Sequence, residues 1–329
     1  MELVNNTRIE TIFELPNDIP CKKEVLGMEF QIEIGSHKGI LAFPNIPRDF
    51  KKRLSNDGIT DNKLICPTNS EIQIPHNENV HWGYFFDSNG NASVKKCSIW
   101  FPCNLDEYNE IGSKLSKITS KYIDKFILFL EILSKNTFDN KAGLNIDVEH
   151  LTGYWLFDKT GSMINAHNNE INISVTFHSD EFCISKNLIE KALYFSNMGF
   201  EPSLQYKLFR DSIFHKNNDD FRRAIIDAST AIEIVLTERI KEEYIKRKIN
   251  DTNFIKSKLE KHHSLSGRIE LITMLNINLP RPKSDYKETL SRIRNKSIHA
   301  GYKPSLNEVK TVIEIANDTL QFYCKEVYD

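Results

Sequence analysis

The feature that most constrains this chain is a change of hydrophobic period at Gly199-Phe200-Glu201-Pro202. Before it, short alternating or β-rich runs recur between turn signals, the pattern of half-buried strands. After it, apolar residues return every three or four positions, the pattern of amphipathic helices. Runs of strands followed by runs of helices predict an α+β protein. At 329 residues the chain is long enough for two cored domains. The change of period sets them at 1–200, a strand-rich α/β domain, and 201–329, an all-helical bundle.

Strands are expected over Arg8–Leu15, Glu29–Ile34, Gly39–Phe43, Glu71–Ile74, His81–Phe86 and Ala92–Phe101. Turn signals such as Asn89-Gly90-Asn91 separate them. One long helix is expected over 105–136, where Ile111, Leu115, Ile118, Tyr122, Ile123, Phe126, Phe129, Leu130 and Leu133 recur at helical spacing. A second strand-rich piece covers about 144–182, with Ile171–Phe177 its clearest strand, and a short helix follows over Lys186–Ser196. Beyond residue 200 the expected helices are Ser203–Lys216, Asp219–Arg247, Asn253–His262, Ser266–Leu275, Asp285–Ala300 and Ser305–Lys325. Asn217-Asn218-Asp219-Asp220 is a start signal for the second, Gly301 a stop signal for the fifth, and Ser305 the N-cap of the last.

Composition is that of an ordinary globular protein, with 40% hydrophobic and 27% charged residues. The net charge of −2 excludes a polycation that coats nucleic acid, but the balance is uneven. Residues 201–329 carry 23 Lys and Arg against 19 Asp and Glu, so the helical part is the mildly basic one. The six cysteines form no C-x-x-C pair and read as reduced thiols. The first residues lack the regions of a signal peptide, and no apolar run is long enough to span a membrane. A cytoplasmic protein that does not enter a membrane is the expectation.

The chemistry concentrates in Arg294-Asn295-Lys296-Ser297-Ile298-His299, followed by Ala300-Gly301. A histidine moves a proton near neutral pH. A guanidinium holds phosphate and stays charged throughout. An asparagine orients either partner by hydrogen bonding. Together they point to metal-free phosphodiester cleavage, with no cofactor. Asn295 and His299 are four apart and share a helix face. Arg294, five from His299, stands about 140° away on an ideal helix. One regular helix therefore does not aim all three groups at one point unless its last turn distorts. Two copies facing each other across a two-fold axis do so more easily, which favours a dimeric composite site.

Glu233 sits in the apolar run Ala224-Ile225-Ile226-Asp227-Ala228 to Leu236, where a carboxylate is costly unless paired. Arg294 or His299 is its expected partner. Arg292 and Lys296 flank the motif and extend it as candidate substrate-binding cations. Plainer readings stand beside these: Arg294 and His299 as cations at a helix end, Glu233 as an exposed side chain, Arg292 and Lys296 as solvated charges. His76, His81, Cys97, Cys103 and Asp106 fit no zinc spacing. Trp82, Tyr84, Phe85, Trp100 and Phe101 could stack on bases, but alternating aromatics in strands read first as core.

The run Ala224-Ile225-Ile226-Asp227-Ala228-x-x-Ala231-x-Glu233, then Arg294-Asn295-x-x-x-His299-Ala300-Gly301, then a helix after Pro304-Ser305, resembles a HEPN domain over about 203–329. The layout, with a strand-rich region of about 200 residues ahead of it, is similar to ApeA-like antiphage, abortive-infection proteins. The resemblance implies a HEPN helical bundle and a metal-independent endoribonuclease, a toxin or antiphage effector working as a homodimer. It implies RNA as substrate, tRNA or mRNA among the candidates, and a phage-derived trigger or an antitoxin as regulator. In such a site His299 is general base or acid, Arg294 stabilises the transition state, Asn295 positions phosphate or His299, and Glu233 orients Arg294 or tunes His299. The products are a 2′,3′-cyclic phosphate and a 5′-hydroxyl. The other reading the resemblance allows is a non-catalytic HEPN module that binds nucleotide or protein and mediates dimerisation.

Overall fold

The computed structural model describes residues 8–48, 54–55, 58–59, 62–67, 81–87, 89–103, 108–138, 151–157, 163–168, 183–299 and 301–324. The chain is α+β, with an antiparallel sheet in its N-terminal region and helices after it. It divides into two compact units: Met1–Leu130 with Phe138–Phe200, and Glu131–Thr137 with Glu201–Asp329.

The first unit opens with β1 (Arg8–Cys21), β2 (Glu29–Ile34) and β3 (His37–Ala42). A small ladder of β4 (Leu54–Ser55) and β5 (Gly58–Ile59) follows, then β6 (Gly83–Phe85) and β7 (Ala92–Pro102). Helix α1 (Tyr108–Ser134) precedes β8 (Leu151–Phe157) and β9 (Met163–Asn168), and α2 (Lys186–Asn197) closes the unit. The main sheet runs β2-β3-β7-β1-β8-β9, with β6 also paired to β7. Burial in β2 alternates strictly, as a strand with one solvated face requires. Central β7 is instead buried at nearly every position, so both its faces are covered.

Two sequence expectations are corrected here. Strand β1 was expected to stop at Leu15 but continues through Pro16 to Cys21. Its register against β7 shifts between Glu14 and Ile19, and this irregularity takes up a proline that cannot donate to a ladder. Strand β3 begins at His37, ahead of Gly39. A Cβ on Gly39 would lie 2.5 Å from the Phe101 ring and 2.6 Å from the Trp100 carbonyl oxygen, so glycine permits the strands to close up.

The stripe predicted for the long helix is buried at Tyr122, Ile123, Phe126, Phe129 and Leu130. Asn197, the last residue of α2, ties three elements together. Its Oδ1 accepts from the Glu33 amide at 2.9 Å and from the Tyr122 hydroxyl at 2.6 Å, and its Nδ2 donates to the Gln31 carbonyl at 3.3 Å. The side chain thus satisfies backbone groups of β2, an edge strand in this sheet order. Trp82, Phe85, Trp100 and Phe101 are buried, in line with their reading as core. All six cysteines are free, and burial pushes the Cys21 and Cys97 thiols up, away from thiolate chemistry. The strands expected over Glu71–Ile74 and Ile171–Phe177, and the candidates His76 and Asp106, lie outside the described residues.

The second unit comprises α3 (Leu204–Asn217), α4 (Phe221–Lys246), α5 (Thr252–Lys261), α6 (Leu265–Met274), a helical stretch ending in α7 (Arg292–Ile298), and α8 (Leu306–Tyr323). Helix α4 is the central element and packs against α3, α6, α7 and α8. Its buried stripe mixes Ala224, Ala228, Ser229 and Ala231 with Ile225, Ile232, Val235, Leu236 and Ile240. The small residues let neighbouring helices approach, and the branched ones fill the space between them. Asp220, Asp251, Ser264 and Ser305 each accept an amide hydrogen bond at the start of a helix. Ser305 and Glu308 form a reciprocal capping box. Replacing Ser305 by alanine is expected to cost about 1 kcal/mol, read as a lower urea midpoint at constant slope.

A regular helix was expected over Asp285–Ala300. Asp285–Ser291 is instead a π-helical stretch, and α7 ends at Ile298. The Ser291 hydroxyl donates to the Tyr286 carbonyl five residues back at 2.8 Å. Tyr286 is fully buried, its hydroxyl 2.8 Å from Thr319 Oγ1 on α8. The wider turn accompanies this buried ring, a tertiary demand that helical periodicity does not announce. Among the described residues, no helix is long and apolar enough to cross a membrane.

Candidate functional site

Ile293 and Ser297 are four apart and both buried, and they set the orientation of α7. Ser297 Oγ donates back to the Ile293 carbonyl at 2.9 Å. With those two positions turned inward, Arg292, Asn295, Lys296 and His299 are exposed, and Arg294 is half-buried. One Arg294 NH1 donates to Asn295 Oδ1 at 3.3 Å, so the guanidinium and the amide of the motif are in contact.

His299 does not belong to the helix. It is the C-cap residue, with an extended backbone of φ −78° and ψ 140°, and its N–H donates to the Lys296 carbonyl at 3.1 Å. Gly301 then takes φ +89°, a left-handed conformation that glycine adopts without strain. The separation of about 140° expected of Arg294 and His299 on one ideal helix therefore does not apply. The exposed imidazole has no hydrogen-bond or ion-pair partner among the described residues.

Beyond the motif, the Lys296 ammonium lies 5.6 Å from the centroid of the Tyr302 ring. The Tyr302 hydroxyl donates to Glu308, the same carboxylate that closes the α8 capping box. Hydrogen bonds from the Ser305 backbone and from Tyr302 hold the Glu308 carboxyl below its ordinary value, and the nearby Lys296 charge adds to this. Lys296, Tyr302 and the start of α8 are thereby coupled, and an aromatic ring stands three residues from His299.

Glu233 is not brought to the motif within one chain. It is half-buried, and the charge it acts on is that of Arg268 from α6. Burial lowers the Arg268 guanidinium and the Glu233 charge opposes that shift. Arg268 also donates to Thr237 Oγ1 at 3.0 Å and to the Leu259 and His262 carbonyls at 2.5 and 2.9 Å. The expected pairing with Arg294 or His299 is thus corrected, and the reason is axial position. Arg222 of α4 meets the end of α7, and Glu233 lies eleven residues further along, about 16 Å at the helical rise.

Arg222 is the residue that sequence reasoning missed. Its Nε donates to the Ser297 carbonyl at 2.6 Å and one terminal nitrogen to the Ile298 carbonyl at 2.9 Å. A weak signal existed: Arg222-Arg223 puts two cations in the first turn of a helix, the end that the helix dipole disfavours. His215 and Asp227 were also not singled out as a pair. They meet across α3 and α4 at 3.5 Å, and burial raises the Asp227 carboxyl while His215 opposes it. No local pattern marks that contact.

No family model matches this chain, and neither a curated protein nor a solved structure matches it significantly.

Proposed function

We propose that the chain is a metal-independent endoribonuclease of the HEPN class, acting as a homodimer whose composite site contains Arg294, Asn295 and His299 from each copy. One observation carries the reading. His299 leaves the helix at the residue where an exposed imidazole can turn beside a guanidinium–amide pair, and no intramolecular partner occupies it among the described residues. An imidazole held for a structural purpose normally has a hydrogen-bond partner when part of a packed site; this one is presented outward.

In the proposed reaction one His299 accepts the proton of a ribose 2′-hydroxyl as the 2′-oxygen attacks phosphorus. The 2′-O–P bond forms, the P–O5′ bond breaks, and a protonated imidazole returns a proton to the departing 5′-oxygen. The Arg294 guanidinium neutralises the charge that builds on the non-bridging oxygens, where preorganised donors have their largest effect. Asn295, already bonded to Arg294, fixes the orientation of that guanidinium. The nucleophile belongs to the substrate, so the step consumes no water. An antiphage or toxin role, with the N-terminal unit responding to a trigger, is the biological setting proposed for this activity.

The test is incubation of the wild-type chain with single-stranded RNA and with tRNA in excess EDTA, followed by analysis of the ends. Cleavage to 2′,3′-cyclic phosphate and 5′-hydroxyl ends is expected. A stable dimer that cuts neither RNA would favour the non-catalytic binding module. Arg292 and Lys296, exposed one turn apart, are assigned to phosphate contacts. Their double replacement by alanine is expected to raise KM several-fold, leave kcat nearly unchanged, and lower the salt slope of RNA binding by about 1 to 2. A fall in kcat with constant KM would remove them from that role.

A further inference from the structure

We propose that Arg222 is a positioning residue for His299, a two-pronged clamp that sets where the chain leaves α7. The inference rests on the ribonuclease reading above. Ser297 and Ile298 are the last two helical residues of α7, and their carbonyls have no helical N–H partner ahead of them. Arg222 supplies both missing donors, at 2.6 and 2.9 Å, from 75 and 76 positions earlier in the chain. His299 follows immediately.

The two ends of the clamp are each backed by buried residues, although the Arg222 side chain itself is exposed. Arg222 is the second residue of α4, in the same turn as Ala224 and Ile225, both fully buried, so its backbone is held against the core of the unit. Ser297 is fully buried on the other side and bonded back to Ile293. Between this anchored pair and the imidazole stands one residue, Ile298. The position of His299 is therefore referenced to α4 through two hydrogen bonds, and beyond it the chain has only Ala300 before the left-handed Gly301.

The chemistry of the fork decides what can replace it. A guanidinium presents its donors in one rigid plane and can hold two adjacent carbonyls at once, whereas an ammonium is a single point of charge. Arg222 also places a cation at the C-terminal end of α7, where the dipole favours it, at the expense of the start of its own helix, where it does not. That arrangement is costly for α4 alone and is accounted for by what it does to α7. Misplacement of a reacting group by about 1 Å costs on the order of 100-fold in rate, so a loosened clamp should appear in the chemical step.

The experiment compares the full chain with Arg222→Lys and Arg222→Ala by single-turnover RNA cleavage and by amide hydrogen exchange. The His299 amide closes the last turn onto Lys296, beside the two carbonyls that Arg222 holds, and so reports the turn that the clamp fixes. With Arg222→Lys, kcat is expected to fall about 10- to 100-fold with KM nearly constant, and the His299 amide to exchange at least about tenfold faster, while the Ile232 amide in α4 keeps its wild-type rate. Arg222→Ala should behave alike or worse. Wild-type kcat and exchange in Arg222→Lys would overturn the proposal, and so would a rise in KM alone, which would make Arg222 a direct RNA contact. If the wild-type chain cleaves no RNA, the exchange measurement still decides: faster exchange confined to His299 and its neighbours upholds the clamp, and unchanged exchange refutes it.

Discussion

Replacing His299 by alanine is expected to lower kcat for RNA cleavage by about 100- to 10,000-fold, the usual contribution of a positioned general acid–base group. Arg294→Ala is expected to lower it by about 100- to 1,000-fold, the usual effect of removing one donor from a site that stabilises developing negative charge. Neither change should unfold the protein. His299 is exposed and off the helix, and Arg294 is half-buried with Asn295 as its bonded partner, so each substitution should shift stability by no more than about 0.5 kcal/mol. Circular dichroism melts of both variants provide that control. Mixing the two inactive variants is a further check, because a composite site formed from two copies would then regain one Arg294 and one His299. Partial recovery of cleavage on mixing is the expected result. Activity that persists in both single variants would end the ribonuclease assignment, and recovery absent on mixing would end the shared site.

The largest expected stability effect lies in α4. Ile232 is fully buried on the helix that packs against α3, α6, α7 and α8. Ile232→Ala should destabilise the helical unit by about 2–5 kcal/mol, the sum of lost transfer energy and the cavity left behind. The measurement is urea denaturation followed by far-ultraviolet dichroism, with a lower midpoint at an unchanged slope. Lys241→Ala, exposed on the same helix, should change stability by less than about 0.5 kcal/mol. An Ile232→Ala loss no larger than that of Lys241→Ala would show that α4 is not the core element described here.

Much of the helical unit was legible in the chain because its determinants are local. Apolar residues at three- and four-residue spacing report a buried stripe directly, and Ser305 followed three residues later by Glu308 specifies a helix start within one turn. The first unit was legible in outline only. Alternation identified β2, but nothing in the neighbourhood of Pro16 indicated that β1 would resume after it, since the irregularity depends on the partner strand β7. The motif residues were visible as types and spacings, while their geometry was not. A helical pattern over 285–300 predicts one regular helix, and it does not foresee a π segment around a buried Tyr286 or an exit one residue before His299.

The division follows from sequence separation. The sequence by itself determined the α+β class, the change from strands to helices near residue 200, most helix starts, and the presence of an arginine, an amide and a histidine within six residues. Each of these depends on side chains within a turn or two of one another. Tertiary structure alone decided that the Glu233 charge acts on Arg268, that His215 meets Asp227, that Asn197 bonds to the backbone of β2, and that Arg222 holds the last carbonyls of α7. Those contacts join residues far apart in the chain, where neither period nor propensity carries information. They form because packing brings together backbone and charged groups that are distant in sequence, and those groups pair where they meet.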